Sequence, residues 1–339
     1  MDKLFQVSAV LALVVNCASG IPLFGVQTPK SYVAFGDSFS SGIGSGVLVD
    51  KNVACQRQTG SYPRHLLKSN PFLRDQLFKY VSCAGNKLAD IDNQIAELAN
   101  KKYDLATISI GGNDFHFGAI SSACIYQVTS SDVTDPQKLC DDALDLGFAQ
   151  LSNSTVRAAF YEKFDRIQSD VLNVNGRMYV ANYPKFFARP REGDACDSIS
   201  FFPIAGMAAL NMTAANRRRV NELTNKVNEL IEKVVGKFGN RVEFIDWDSL
   251  FEGKRFCEPK NSKDPIGANN PDVFFNDLTT TLESPRVTDA SQWTPGLKVN
   301  ISDTVQQNSA FHPKAGGHRA LAAKLTSKIH SRLMQFNAV

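Results

Sequence analysis

The chain has 339 residues, of which 43% are hydrophobic and 21% are charged. This balance is typical of a globular protein with a buried core and excludes a disordered chain. Its 37 basic and 34 acidic residues leave a formal net charge of +3 without long runs of one sign, so the overall charge implies neither nucleic acid nor an anionic membrane as a partner.

The N-terminus has the pattern of a secretory signal peptide. Lys3 precedes an apolar stretch at 4–15, and small residues follow it at 18–20. The apolar stretch is too short to span a bilayer. We therefore expect a signal peptide at 1–20 and a secreted, extracellular protein without a transmembrane segment. The alternative is a buried N-terminal strand or helix.

Cysteines and glycosylation sequons agree with secretion. Six cysteines remain beyond the signal peptide: Cys55, Cys83, Cys124, Cys140, Cys196 and Cys257. In an oxidising compartment they predict three disulfides, and their spacing leaves the connectivity open. Three sequons predict N-glycosylation at Asn153, Asn211 and Asn300.

From residue 31 onward, short apolar runs alternate with segments of helical periodicity. Strands are predicted at 31–36, 78–84, 104–111, 177–183 and 241–247. Helices are predicted at about 61–69, 87–100, 155–173, 213–237 and 314–335. This alternation is typical of a three-layer α/β fold, with a parallel sheet of about five strands covered on both faces.

Two stretches interrupt the alternation. Residues 112–154 contain two cysteines and little periodicity, and residues 254–311 are rich in Asn, Asp, Pro, Ser and Thr. Long irregular segments inside compact domains are more often functional loops than linkers. We therefore expect 21–339 to form one domain with irregular insertions near these two stretches.

The sequence Gly-Asp-Ser follows the first predicted strand and ends at Ser38. Ligands of open α/β sheets bind at the carboxyl ends of the strands, so Ser38 is placed to react. The alternative is an ordinary turn serine. The glycines that follow, Gly42, Gly44 and Gly46, match neither GxGxxG nor the P-loop, so no nucleotide site is predicted.

Small polar turns also follow the next two predicted strands. Gly85 lies after the second, and the sequence Gly-Gly-Asn-Asp after the third contains Asn113. The backbone N–H groups of Ser38 and Gly85 and the side-chain amide of Asn113 could together stabilise an oxyanion. The alternatives are a tight turn at Gly85 and an Asx turn at Asn113.

His312 immediately precedes Pro313 and the last predicted helix. Proline suits the first turn of a helix, so His312 is expected on the loop that enters this helix, where it could reach Ser38. No histidine has an HExxH context, and His312 and His318 lack i, i+4 spacing, so no metal site is predicted.

These blocks occur in the order found in the SGNH (GDSL-type) hydrolases, which the chain resembles from residue 31 onward. The segment CQRQTGSYP at 55–63 is similar to the CxRSxxxYP segment of the secreted esterase and lipase branch with six cysteines. The resemblance implies a flavodoxin-like three-layer sheet, a nucleophile at Ser38, a general base at His312, and an oxyanion hole made by Ser38, Gly85 and Asn113. It implies no metal or organic cofactor.

The function expected from this resemblance is hydrolysis of carboxylic esters through an acyl-enzyme, by a monomer acting on a lipid or small acyl ester. Two alternatives remain. The first is a deacetylase of polysaccharides or sugar esters, which would share the chemistry. The second is a secreted binding protein that keeps the fold without turnover.

The resemblance also implies sequential disulfides, joining Cys55 to Cys83, Cys124 to Cys140, and Cys196 to Cys257. One position departs from the family, which usually has Asp three residues before the histidine, where this chain has Ser309. We therefore expect the backbone carbonyl of Ser309 or Ala310 to orient His312, with Asp303 as the alternative. Asp37 and Asp114 are expected to hold their loops.

Overall fold

The computed structural model describes residues 28–126, 135–201, 210–262, 266, 270–276 and 309–337. The predicted signal peptide, the sequon at Asn300 and Asp303 lie outside these residues.

A sheet of five parallel strands forms the centre of the fold. The strands are β1 (Tyr32–Gly36), β2 (Phe78–Tyr80), β3 (Tyr103–Ser109), β4 (Leu172–Ala181) and β5 (Val242–Ile245). Their spatial order is β2-β1-β3-β4-β5, and every neighbouring pair is parallel. This arrangement confirms the predicted sheet.

The two central strands are buried because their residues are apolar on both faces. All five residues of β1 are buried, and β3 is buried at every residue except Asp104. The predicted second strand is longer than β2, because the N–H groups of Val81 and Ser82 both donate to Ala34 O and the chain then leaves the ladder. Cys83 N–H donates to Gly36 O at 2.9 Å, so the turn after β2 stays beside the end of β1.

Helices on both faces complete the three layers. They are α1 (Ser38–Ser41), α2 (Tyr62–Ser69), α3 (Ile91–Ala96), α4 (Phe117–Ile120), α5 (Pro136–Ser152), α6 (Ser154–Arg166), α7 (Ala214–Val235) and α8 (Ala315–Asn337). Helices α2 and α8 pack on each other, whereas α5 and α6 pack on α7. Short 3₁₀ helices occur at Asp75–Leu77, Leu88–Asp90, Asp248–Phe251 and Pro259–Asn261, and π-helical turns at Ser121–Tyr126 and Ile167–Val171.

The sequence predicts an irregular insertion near 112–154. In the structure this stretch instead contains α4, the first π-helical turn and α5. Helix α5 begins after Asp135, whose side chain accepts from Lys138 N. Its buried positions include Cys140, Ala143 and Gly147. Because these buried positions are small residues and a cysteine, the apolar periodicity is too weak to predict the helix from the sequence.

Three disulfides brace the loops of the sheet. They join Cys55 to Cys83, Cys124 to Cys140, and Cys196 to Cys257, the pairs that the resemblance implies. The first connects the segment between β1 and β2 to the turn after β2, and the third connects the loops after β4 and β5. Among the helices that the structure describes, none is long and apolar enough to cross a membrane.

Candidate active site

Ser38 is the first residue of α1, a single helical turn that starts where β1 ends. Asp37 caps this helix, because its Oδ1 accepts from Phe39 N at 3.0 Å. Gly42 ends the helix in the left-handed region with φ of 78°, and its N–H donates to Ser38 O. Both ends of α1 are therefore fixed by local hydrogen bonds, and Ser38 lies at the carboxyl edge of a central strand.

The structure brings His312 to Ser38. Nε2 of His312 lies 2.7 Å from Ser38 Oγ, and Nδ1 lies 3.1 Å from Ala310 O. A carbonyl oxygen can only accept, so Nδ1 carries a proton, and in the neutral ring Nε2 accepts from the hydroxyl of Ser38. The imidazole therefore presents its lone pair to the serine.

The loop that carries His312 is held by hydrogen bonds on both sides. Phe311 adopts a left-handed conformation with φ of 61°, and Ser309 O accepts from the backbone N–H of His312. The side-chain amide of Asn276 donates to His312 O at 3.1 Å and to Gly44 O at 3.2 Å. Asn276 thus links His312 to the segment after Ser38, although the sequence shows Asn276 only as part of the irregular stretch 254–311.

The candidate oxyanion donors follow three neighbouring strands. The N–H of Ser38 is the first in α1, so no carbonyl within that helix can accept from it. Gly85 has φ of 78° in the turn after β2. The Asn113 amide uses one N–H to bind Asn86 O at 2.9 Å, which fixes its orientation and leaves its second N–H for a ligand.

A buried glutamine, Gln94 on α3, ties these loops together. Its amide binds both backbone groups of Gly36, accepting from the N–H at 2.9 Å and donating to the carbonyl at 2.8 Å. It also donates to Asn86 Oδ1 at 2.6 Å. Gly36 must be glycine, because its φ is 128° and a Cβ there would lie 2.3 Å from Ser109 O. The sequence does not reveal Gln94, since a polar residue in a largely polar helix resembles a surface residue.

Tyr183, which follows β4, makes a second connection. Its hydroxyl donates to Asp37 Oδ2 at 2.5 Å and accepts from Gly112 N at 2.9 Å. Burial raises the pKa of Asp37 from 3.8 to about 7, although the hydrogen bonds from Tyr183 and Phe39 act in the opposite direction. The loops after β1 and β3 are therefore joined through one phenol.

Asp114 holds the turn after β3 to the segment after β2. Its Oδ2 accepts from Leu88 N at 3.0 Å. Burial raises its pKa to about 6, with this backbone hydrogen bond opposing the shift. Asp37 and Asp114 thus occupy the loop-holding positions expected from the sequence.

The other histidines have structural surroundings. His318 on α8 is fully buried, its Nδ1 accepts from Tyr62 N at 3.2 Å, and burial lowers its pKa to about 3. His330, also on α8, packs against Phe72. Within the residues that the structure covers, no group of three His, Cys, Asp or Glu side chains is arranged to hold a metal ion.

Relatives with similar sequences are lipases. A lipase of Streptomyces rimosus is 26% identical over 245 residues, covering 70% of this chain and 80% of that protein. Lipase 1 of Streptomyces coelicolor is 24% identical over 251 residues, covering 71% of this chain and 81% of that protein.

Solved structures show the same fold. The extracellular lipase from Streptomyces rimosus aligns with a TM-score of 0.60 at 22% identity, over 88% of this chain and 99% of that one. Phospholipase A1 from Streptomyces albidoflavus also aligns with a TM-score of 0.60, at 21% identity and the same coverage. The model of the GDSL-like lipase/acylhydrolase family matches residues 34–320. The chain therefore belongs to the GDSL-like lipase/acylhydrolase family and is a carboxylic ester hydrolase.

Proposed function

We propose that Ser38 is the nucleophile of this hydrolase and His312 its general base. The observation that carries the proposal is the 2.7 Å contact between Ser38 Oγ and His312 Nε2. As Oγ bonds to the ester carbonyl carbon, its proton passes to Nε2. The tetrahedral intermediate then collapses, the bond to the alcohol breaks, and the imidazolium protonates the departing alcohol.

Hydrolysis of the acyl-enzyme reverses these roles. His312 takes a proton from water as the water oxygen adds to the acyl carbon, and the same proton returns to Ser38 Oγ as the acid leaves. Negative charge develops on the carbonyl oxygen in both steps. The N–H groups of Ser38 and Gly85 and the free N–H of Asn113 are the donors we assign to it.

A backbone carbonyl orients the base in this proposal. The Nδ1–H of His312 donates to Ala310 O, which fixes the tautomer and stabilises the imidazolium without a formal charge. Ser309, which replaces the usual acid, instead contributes its carbonyl to the backbone N–H of His312. The reacting pair is then a dyad.

The substrates we propose are lipid or small acyl esters, processed outside the cell. The relatives are named lipases, and one structural neighbour is described as extracellular. The three disulfides support secretion, and the exposed Asn153 and Asn211 are available for glycosylation. A sugar-ester deacetylase would use the same dyad, whereas a binding protein without turnover would not need the hydrogen bond between Ser38 and His312.

Replacing the nucleophile tests the proposal directly. Ser38→Ala should lower ester hydrolysis by about 10⁴ or more while circular dichroism and the melting temperature stay unchanged. Ser331→Ala, on α8 and bonded only within that helix, is the matched control and should keep full activity. Substantial turnover by Ser38→Ala would reject the assignment.

A panel of p-nitrophenyl esters, triglyceride, phospholipid and acetylated xylan would identify the substrate class.

A further inference from the structure

A cluster of exposed aliphatic side chains lies on the loop at 46–54, which we call the Val47 loop. Val47 is 70% exposed, Val53 is 60% exposed and Leu48 is 38% exposed. Five other large hydrophobic side chains are exposed in the residues that the structure describes, and they are dispersed along the chain: Leu77, Leu146, Tyr161, Val174 and Met334. Single exposed apolar residues are ordinary on protein surfaces, whereas a cluster indicates a contact surface.

The backbone of the Val47 loop is held in place. Leu48 pairs with Gln58 in an antiparallel bridge, and Val47 O accepts from Thr59 N at 2.9 Å. The salt bridge from Arg57 to Asp50, at 2.7 Å, closes the loop from the side. The aliphatic side chains are therefore presented by an ordered backbone.

This loop adjoins the catalytic groups. Gln58 N–H, at its base, donates to Ser41 O at the end of α1. Cys55 is joined by its disulfide to Cys83, and Cys55 O accepts from Ala84 N, next to Gly85. The segment 55–58, which directly follows the Val47 loop, thus contacts both the helix that carries Ser38 and the turn that carries a candidate oxyanion donor.

The loop itself carries a positive charge. Lys51 is exposed and makes no salt bridge with any residue that the structure covers. The carboxylate of Asp50 is already paired with Arg57. Aliphatic side chains beside cations suit the boundary between the acyl chains and the anionic headgroups of a lipid surface.

We propose that the Val47 loop docks the protein on an anionic lipid–water interface, so that the ester reaches Ser38 from the lipid phase. The inference rests on the proposed function and adds the physical state of the substrate to it. The small net charge of the whole chain gives no sign of this surface, because the relevant cation, Lys51, is a single local charge.

Sedimentation with vesicles tests the docking. The double variant Val47→Ser, Val53→Ser should bind vesicles of phosphatidylcholine and phosphatidylglycerol more weakly by about tenfold per valine. Val174→Ser is the matched control, because Val174 is 84% exposed and lies near the start of β4, at the amino end of the strands and away from Ser38. Its binding should not change.

Turnover of a soluble ester and of an ester in vesicles distinguishes a loss of docking from a loss of catalysis. The double variant should hydrolyse soluble p-nitrophenyl acetate at the wild-type rate and an ester in the same vesicles more slowly, in proportion to its lost binding. Lys51→Glu should weaken binding to these anionic vesicles more than binding to pure phosphatidylcholine vesicles. The control Lys237→Glu, near the start of β5, should bind each kind of vesicle as the wild type does.

Four results would overturn the docking surface. They are no vesicle binding by the wild type, full binding by the double variant, an equal loss in Val174→Ser, and a wild-type dimer that the double variant converts to a monomer. The last result would assign the loop to self-association. Absent hydrolysis of the soluble ester by the wild type would instead reject the proposed function, while sedimentation still reports on docking.

Discussion

Asn113 is the proposed oxyanion donor whose contribution can be measured apart from folding, because its side chain is only partly buried and bonds to a single carbonyl. Asn113→Ala should lower kcat by about 10² to 10³, the loss expected when one such donor is removed. Asn225→Ala, an exposed asparagine on α7, is the control. An unchanged kcat in Asn113→Ala would leave the residue with a role in the turn only.

The residue that orients His312 has its own test. If Ala310 O is the acceptor, Asp303→Asn and Ser309→Ala should both keep most of the wild-type kcat, because a backbone carbonyl makes the orienting hydrogen bond. A drop of about 10⁴ in Asp303→Asn is what removal of a triad acid would produce. That drop would replace the dyad with a triad.

At the scale of single residues, the sequence indicates the residues proposed to react, but it does not reveal the residues that hold their loops in place. Ser38, Asn113 and His312 stand in short motifs whose chemistry is local. Gln94 and Tyr183 act through partners that lie 58 and 146 residues away in the chain. No local pattern marks a side chain whose role depends on such distant contacts.

Helix α1 carries the proposed nucleophile, and burial raises the pKa of its N-cap residue, Asp37. Asp37 has a pKa of about 7 in the folded chain against 3.8 ordinarily, so between these values the folded state holds a proton that the unfolded state has lost. Stability should therefore fall as pH rises from about 4 to about 7.

Asp37→Asn cannot titrate and should have a flatter profile of unfolding free energy over this interval. Urea unfolding of both proteins from pH 4 to pH 8 measures the difference. The pKa of Asp114 is also raised, and its charge raises the pKa of Asp37, so Asp114 keeps part of the slope in both profiles. Parallel profiles would show that the carboxyl of Asp37 stays ionised throughout.

Among the elements, the short apolar runs, separated by segments of helical periodicity, are sufficient to predict that there are five strands. The second strand is shorter than predicted, because after Tyr80 the backbone turns away to bond with the end of β1. Helix α5 was missed because Gly147 packs it closely on α7, and a glycine gives no apolar signal.

For the whole molecule, the disulfides connect loops and helices that the hydrogen bonds of the sheet do not join. Cys124 and Cys140 close a loop with a sequence separation of 16, which corresponds to about 3 kcal/mol of unfolding free energy in the chain-entropy model. The double variant Cys124→Ser, Cys140→Ser should lose about this amount in urea unfolding. An unfolding free energy equal to that of the wild type would contradict the estimate, and non-reducing peptide mapping checks the three pairs.

The architecture of the whole molecule was predictable because parallel strands bring the ends of β1, β2 and β3 to one edge. Motifs 27 or more residues apart therefore meet there, as Asn86 and Asn113 do. The position of His312 before Pro313 and the family resemblance both predict its approach to Ser38, whereas its positioning by Asn276 has no signal in the sequence.

Labelling with a fluorophosphonate probe tests the central claim, that Ser38 is activated by His312. The account predicts one phosphonylated residue, Ser38, identified by peptide mass spectrometry, and labelling that is slower by orders of magnitude in His312→Ala. A label on another serine, or an equal labelling rate in His312→Ala, would contradict it.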